Sequence, residues 1–412
     1  MITKLYIENF RSIEKAEVDL GKITVLTGAN NSGKSSVIYA LLALRNVASS
    51  PNKSIDDFFN LTFINLGGYK NVLSSNSSLT DKIEIGIQTA TSHLPPYQPI
   101  TSEFHVALGE NGSFFKINVN ASNPFEKNLN ISFPYPANKE TKFSLQESFQ
   151  DSLLAIENET IIWNGLHFRS QNNIDEQSIE SKIISSVFNK PISSLGYIDF
   201  VPIRRGFTQP YYAAVSLSSS RVTTEEEIAT LISLDRNLID KIAFYLEKIV
   251  DRHFSIYTTP GTAIFYLQTR HKETGFTADL VNEGLGTNQL VTLLAKVLQK
   301  SNKFICIDEP EIHLHPSVIS KLVGVLVEIA EKEGKQFLIS THSEHFITAL
   351  LKHTHQKDIS NEDVKVYYLK KEGQKTVFEH QAINEKGQIE GGLAYFYATE
   401  LEDLKVLFNI TD

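Results

Sequence analysis

Cysteine is almost missing from this chain: among 412 residues there is one, Cys306, set inside the apolar run Phe304-Ile305-Cys306-Ile307. Intrachain disulfides are therefore excluded, and a reducing cytoplasm is the expected compartment. Long hydrophobic runs are missing too. None approaches the ~20 residues of a membrane span, so no membrane association is expected. The opening stretch Met1–Ile7 alternates like a strand, which argues against a signal peptide. Positive charge is in deficit, with 39 Lys and Arg against 48 Asp and Glu and a net charge of −9. That balance excludes a protein coated all over in positive potential but leaves room for a local basic groove. There is no internal repeat, and no low-complexity tract beyond Ser74-Ser75-Asn76-Ser77-Ser78. The length is too great for one ordinary core and predicts two or three lobes.

What is present is a phosphate loop. Residues 28–35 read Gly-Ala-Asn-Asn-Ser-Gly-Lys-Ser, the full G-x-x-x-x-G-K-[ST] pattern. It follows the apolar run Ile23-Thr24-Val25-Leu26 and precedes Val37–Leu44, so the strand-before, helix-after context is met. Gly28 and Gly33 let the backbone curl until successive N–H groups face phosphate oxygens. Lys34 reaches the outer phosphates, and the Ser35 hydroxyl ligates Mg²⁺. This chain is expected to bind a nucleoside triphosphate.

Residues 2–9 and 22–27 read as strands joined by Arg11 and a polar turn. From about 82 to 170 short alternating segments dominate: Lys82–Ile87, Glu103–Leu108, Phe114–Val119, Leu129–Phe133 and Ile161–Trp163. Asn111-Gly112 marks a hairpin between the second and third. An antiparallel β-rich lobe is predicted there, with a helix over 178–189 and a strand over Tyr197–Ile203. Thr224 and Glu227 form a capping box, and apolar residues from Ile228 to Val250 predict one long amphipathic helix over Thr223–Phe254. The absence of a similarly long upstream partner argues against a coiled-coil arm. Phe304–Asp308, Val318–Ile329 and Phe337–Ser340 read as a βαβ unit with parallel strands. Val364–Leu369 is a further strand, followed by a turn at Glu372-Gly373. Thr376–Gln381 is expected to complete the sheet, and a helix is expected near Tyr395–Phe408.

Asp308-Glu309 end an apolar strand, the place where side chains meet ligands in open α/β sheets. Asp308 suits Mg²⁺, directly or through water, and Glu309 suits polarisation of an attacking water. His342 ends the neighbouring strand in Ser340-Thr341-His342-Ser343 and is expected to contact the γ-phosphate. His313 and His315 alternate in Glu311–Pro316; a structural or dimer-facing role is favoured over a zinc pair, since no further ligands lie nearby. Gly284-Leu285-Gly286-Thr287-Asn288-Gln289 opens an apolar helix and forms either a helix cap or an anion site.

Taken together, Asn9-Phe10-Arg11-Ser12, the phosphate loop, Asp308–Pro316 and Ser340–Ser343 resemble the ABC-type ATPases, in the branch of the structural-maintenance-of-chromosomes (SMC), RecF and overcoming-lysogenization-defect (OLD) proteins. The resemblance covers about residues 1–48 and 275–345. It implies an α/β fold: an ABC/SMC-like ATPase head with a mixed sheet, plus an antiparallel β-rich and helical insertion. The divisions it suggests are 1–70 for the N-terminal part of the head, 71–255 for the insertion and 256–412 for the C-terminal part. It further implies a homodimer or higher homo-oligomer closing through the heads around ATP and Mg²⁺. By motif match, Arg11, Asn30, Asn31, Ser32, Gly33, Lys34, Ser35 and Ser36 bind nucleotide. Asp308 joins Ser35 at the metal, and Glu309 is the catalytic base with His342 beside it. Gly284 and Gly286 stand in the signature segment, and Leu314-His315-Pro316 lies in the segment that crosses the interface. The signature serine usual in the family is missing, with Gly284 near its place. Gln88 is a candidate for the metal-sensing glutamine on position only.

The activity implied is ATP hydrolysis that controls a partner. Stand-alone ATPases resembling this chain, such as PtuA of Septu and the ATPase of PARIS, serve antiphage defence beside a separate effector, a nuclease or toxin. Residues 343–412 carry no Asp-x-Asp, so an effector activity is expected on another chain. The alternative is a RecF-like DNA-repair ATPase clamping duplex DNA. Arg204-Arg205 and Lys296, Lys300 and Lys303 are the nearest approach to a basic cluster.

Overall fold

The computed structural model describes residues 1–50, 53–78, 81–91, 100–121, 127–135, 141–144, 160–163, 167–170, 184–217 and 223–390. The chain divides into two compact units. The first comprises Met1–Leu20, Asn31–Ile198 and Lys370–Phe378; the second comprises Gly21–Asn30, Asp199–Leu369 and Glu379–Asp412.

The first unit is built on an antiparallel sheet. Its strands are β1 (Ile2–Phe10) and β2 (Ile13–Asp19), then, beyond β3 (Ile23–Thr27) of the second unit, β4 (Ile83–Thr91), β5 (Ile100–Leu108), β6 (Ser113–Ala121) and β7 (Lys127–Tyr135). They lie in the order β2-β1-β4-β5-β6-β7. One face buries Leu5, Ile7, Ile85, Ile87, Phe104, Val106, Phe115 and Ile117, as period-2 alternation requires. A three-stranded sheet of β8 (Thr141–Ser144), β9 (Thr160–Trp163) and β10 (Phe168–Ser170) adds Trp163, whose ring lies 4.6 Å from that of Phe115. Helix α1 (Lys34–Ser49) packs on β1, β4 and α3 (Asn189–Gly196), while α2 (Tyr69–Val72) is a single turn.

The second unit holds the parallel sheet. Strand β11 (Ile198–Val201) is followed by the short β12 (Tyr212–Ala213), helices α4 (Glu225–Leu234) and α5 (Arg236–Val250), and strands β13 (Arg252–Thr258), β14 (Ile264–His271) and β15 (Thr277–Asp279). Then come α6 (Leu285–Leu298), β16 (Phe304–Asp308), α7 (Pro316–Glu333), β17 (Gln336–Ser340), α8 (Glu344–His355), β18 (Val364–Glu372) and β19 (Lys375–Gln381). The main sheet runs β11-β16-β17-β3-β18-β19. The neighbouring pairs β16–β17, β17–β3 and β3–β18 are parallel. Strands β16, β17 and β3 are buried at every position, the pattern of a sheet covered on both faces. Strands β12 to β15 form a separate antiparallel sheet. No helix among the described residues is long and apolar enough to cross a membrane.

The parallel βαβ unit, the hairpin at Gly109–Gly112 and the completion of the sheet by β19 agree with the sequence. Three expectations need correction. Between the first two expected strands lies a further one, β2, which pairs β1 from Phe10↔Ile13 onward. The single long helix over Thr223–Phe254 is two helices and the start of a strand. Asp235 ends α4 in extended backbone, and its carboxylate caps α5 by accepting from the Leu238 N–H at 3.1 Å. A short acidic side chain that bonds its own neighbouring backbone breaks a helix even where the apolar period continues. Asp251, at φ +57°, then turns the chain into β13. The helix expected over 178–189 is described only from residue 184, where a π-helical turn, Ile184–Phe188, leads into α3. The helix expected near 395–408 lies outside the described residues.

Replacing Asp235 by Ala removes that cap and lowers stability by about 1 kcal/mol, measured as the shift in the chemical-denaturation midpoint against the parent. An unchanged midpoint would mean that the cap contributes nothing to the α4–α5 break.

Candidate nucleotide site

Three parallel strands end level with one another. Asp308 of β16 is opposite Ser340 of β17, and Ser340 is opposite Leu26 of β3, one residue before Thr27 and two before Gly28. The phosphate loop therefore leaves β3 at the edge where the acidic pair leaves β16. Gly28 is at φ +133°, and a Cβ there would collide with the Leu369 carbonyl, so the first loop glycine is required by backbone approach as well as by conformation.

The loop passes from the second unit into the first between Asn30 and Asn31, both exposed. In the first unit Gly33 is at φ +108° and opens α1, with no side-chain cap and no acidic residue in the first turn. Such a helix start suits an anion. The Ser32 Oγ is buried without a partner, and Lys34 and Ser36 are buried, while Ser35 is half-buried. Thr376 holds this loop in place. Its hydroxyl donates to the Ser32 carbonyl at 2.9 Å and meets the Ser12 hydroxyl at 2.8 Å, and its N–H donates to the Ser12 carbonyl. A Cβ on Gly33 would strike Thr376. Arg11 is exposed, at φ +54°, with its guanidinium 5.7 Å from the ring centre of Tyr39 on α1.

In the second unit the Asp308 carboxylate accepts from the Ser340 hydroxyl. Glu309 occupies φ +45°, an unusual conformation for a side chain of its size, and its N–H donates to the Ser340 carbonyl at 2.9 Å. Its carboxylate is 3.2 Å from Nε2 of His342, so the two residues paired by sequence as base and γ-phosphate contact do meet. Glu311 props the other side of this pair. Its Oε1 accepts from the Thr341 hydroxyl at 2.5 Å and from the His342 N–H at 3.0 Å. Its Oε2 is buried without a partner. Burial raises its pKa above the usual carboxylate value, partly opposed by those hydrogen bonds.

Arg205, offered above as part of a basic cluster, is a half-buried structural donor. Burial pulls its pKa down to about 10. Its two terminal nitrogens donate to the carbonyls of Pro202, Asp308, Glu309 and Pro310 at 2.9–3.2 Å. Lys296 is buried too, 3.1 Å from the Asp199 carboxylate. Only Arg204, Lys300 and Lys303 of that set are exposed.

Gly286 lies close to the segment after the acidic strand, where a Cβ would come within 2.7 Å of the His313 carbonyl. Gly284 starts α6 with no side-chain cap bond, and a Cβ on it would meet only open space. His315 caps α7: its Nδ1 accepts from the Ser317 N–H, and Pro316 takes the first helical position. This is a structural role, and no group of three or more metal-capable side chains occurs among the described residues. Gln88 is committed elsewhere, donating to Glu103 at 2.9 Å and accepting from Thr3 at 2.9 Å within the first unit's sheet. Sequence reasoning missed Thr376, Arg205 and Glu311 as supporting residues. Glu311 lay within the quoted motif, whereas nothing local marks Thr376 or Arg205.

A parallel sheet with a glycine loop at the end of one strand and an acidic pair at the end of the strand two places away marks the phosphate-loop class of nucleotide-binding proteins. The chain belongs to the AAA ATPase domain family, whose model matches residues 1–347. It is 23% identical over 364 residues to an OLD nuclease of Thermus scotoductus, covering 84% of this chain and 60% of that protein. It is 31% identical over 143 residues to the Old nuclease of Escherichia phage P2, covering 30% of this chain and 24% of that protein. The chain thus spans less than two thirds of the length of either nuclease. Among solved structures it is similar to the SMC head domain from Thermotoga maritima, with 11% identity, a TM-score of 0.42, and coverage of 92% of this chain and 98% of that one. The family match and the OLD relative bear out the resemblance stated from the motifs.

Because the folded Glu311 pKa is raised, its stabilising contribution is complete below the unfolded value of 4.5 and declines as pH rises through the folded value. A Glu311→Gln variant lacks that decline, so its thermal midpoint gains on the parent as pH rises above 4.5. Parallel midpoint curves from acid to neutral pH would show that Glu311 is not held at a raised pKa.

Proposed function

We propose that this chain is an ATP-hydrolysing switch that closes with a second copy around ATP and Mg²⁺ and controls a separate effector in antiphage defence. One observation carries the hydrolytic part. Gly28, Asp308, Glu309 and His342 leave or follow neighbouring parallel strands that end at one level, with Glu309 and His342 in contact. Lys34 holds the outer phosphates, Arg11 adds a cation, and Asn30 to Ser36 supply loop amides and hydroxyls. Ser35 and Asp308 are the groups to hold Mg²⁺. In the first unit the buried, unpartnered Ser32 hydroxyl and the uncapped start of α1 fit a phosphate, and in the second the Asp308 carboxylate suits a divalent ion. When bound, the ion offsets charge on the phosphates. Glu309 takes the proton of the attacking water, and His342, in contact with Glu309, meets the γ-phosphate. Gly284 and Gly286 present the start of α6 to a second copy's nucleotide, as the family resemblance implies.

The defence role rests on the resemblance to stand-alone defence ATPases, and the OLD relative is compatible with it. The DNA-clamp alternative loses two of its basic residues, since Arg205 and Lys296 are spent on protein partners.

Lys34→Ala abolishes binding of a fluorescent ATP analogue; undiminished binding would refute the phosphate-loop assignment. Glu309→Gln keeps ATP affinity, loses roughly 10²–10⁴-fold in hydrolysis, and accumulates a dimer with ATP on gel filtration. Phosphate release at the parental rate would remove Glu309 from the role of base. Co-purification with the products of neighbouring genes, with and without ATP, tests the effector.

A further inference from the structure

We propose that Arg205 is a positioning residue for Glu309, and that Asn288 at the start of α6 sets where Arg205 stands. The inference rests on the reading of Glu309 as the base. The Arg205 side chain lies near three carboxylates, those of Glu311, Asp308 and Glu309, yet its terminal nitrogens donate to backbone carbonyls. Three of the acceptors belong to successive residues, Asp308, Glu309 and Pro310. A planar guanidinium fork can gather successive carbonyls in this way, whereas a lysine ammonium presents a compact, freely turning charge. The middle residue of the three is the one at φ +45°. Backbone in that region persists where its surroundings over-determine it. Arg205 from one side and the Ser340 carbonyl on the Glu309 N–H from the other supply the determination. The direction of the Glu309 carboxylate follows from that backbone.

Arg205 is itself placed by the next two residues. Gly206 is at φ +135°, and a Cβ there would come within 3.1 Å of the Asn288 Oδ1. The Phe207 N–H donates to Asn288 Oδ1 at 2.7 Å, and Asn288 Nδ2 donates to the carbonyls of Phe207 at 2.8 Å and Leu280 at 3.2 Å. Phe207 and Asn288 are both buried. Asn288 stands in the first turn of α6, four residues after Gly284, so the segment 205–207 is a strut from the glycine-rich helix start to the backbone of the acidic pair. A shift of α6 moves the strut and reaches the base without touching the nucleotide.

The test uses the whole chain, with steady-state ATP hydrolysis and a separate titration of fluorescent ATP analogue. Arg205→Ala lowers kcat roughly 10- to 100-fold, the scale of a misplaced catalytic group, while KM and analogue affinity stay within about twofold. Arg205→Lys recovers little of the loss. Asn288→Asp keeps the acceptor for Phe207 but loses the donor; it lowers kcat in the same manner and keeps the proposal open to refutation if Arg205→Ala does not fold. The Arg205→Ala/Asn288→Asp double variant is no slower than Arg205→Ala, because both act through one strut. Parental kcat in either single variant, or equal losses in kcat and analogue affinity, overturns the positioning role while Glu309→Gln still abolishes hydrolysis. Parental hydrolysis by Glu309→Gln instead refutes the base, and the positioning role with it.

Discussion

The second unit depends on one constraint: β16, β17 and β3 are parallel, in register, and end together. Parallel strands need covering on both faces, which is why these three are buried throughout and why helices connect β16 to β17 and follow β17. Charged residues in these strands appear only where a strand stops, at Asp308. Gly28, Asp308 and Thr341 with His342 are therefore confined to one edge by the same packing that fills the core. Chemistry at that edge is a consequence of how the sheet is buried.

Around this edge a shell of polar residues fixes the acidic pair and its neighbours. Ser340 serves both neighbours, its hydroxyl donating to Asp308 and its carbonyl accepting from the Glu309 N–H. Glu311 ties down Thr341 and His342, and Arg205 gathers the carbonyls of 308–310. In the first unit Thr376 does the same for Ser32 and Gly33. Each of these bonds removes freedom from the backbone that carries these residues.

Buried charge in this shell is held unevenly. Lys296 has its Asp199 partner, whereas Arg205 is bonded to neutral carbonyls and Glu311 keeps one oxygen without a partner. Burial accordingly lowers the pKa of Arg205 and raises that of Glu311.

By itself the sequence determined the phosphate loop, the acidic strand end, the parallel βαβ unit and the β-rich lobe. These are local signals: glycine spacing, an apolar run that stops at Asp308, and period-2 alternation. It misjudged the region from Thr223 to Phe254, where Asp235 and Asp251 override a continuous apolar period by bonding or turning their own backbone. The roles of Arg205, Thr376 and Asn288 were decided only by tertiary structure. Each acts on backbone atoms more than 80 residues away or held there by a turn, and no spacing rule encodes such a partner. Arg205 illustrates the limit: as a residue type beside Arg204 it reads as surface charge, and folding makes it the clamp on the acidic pair.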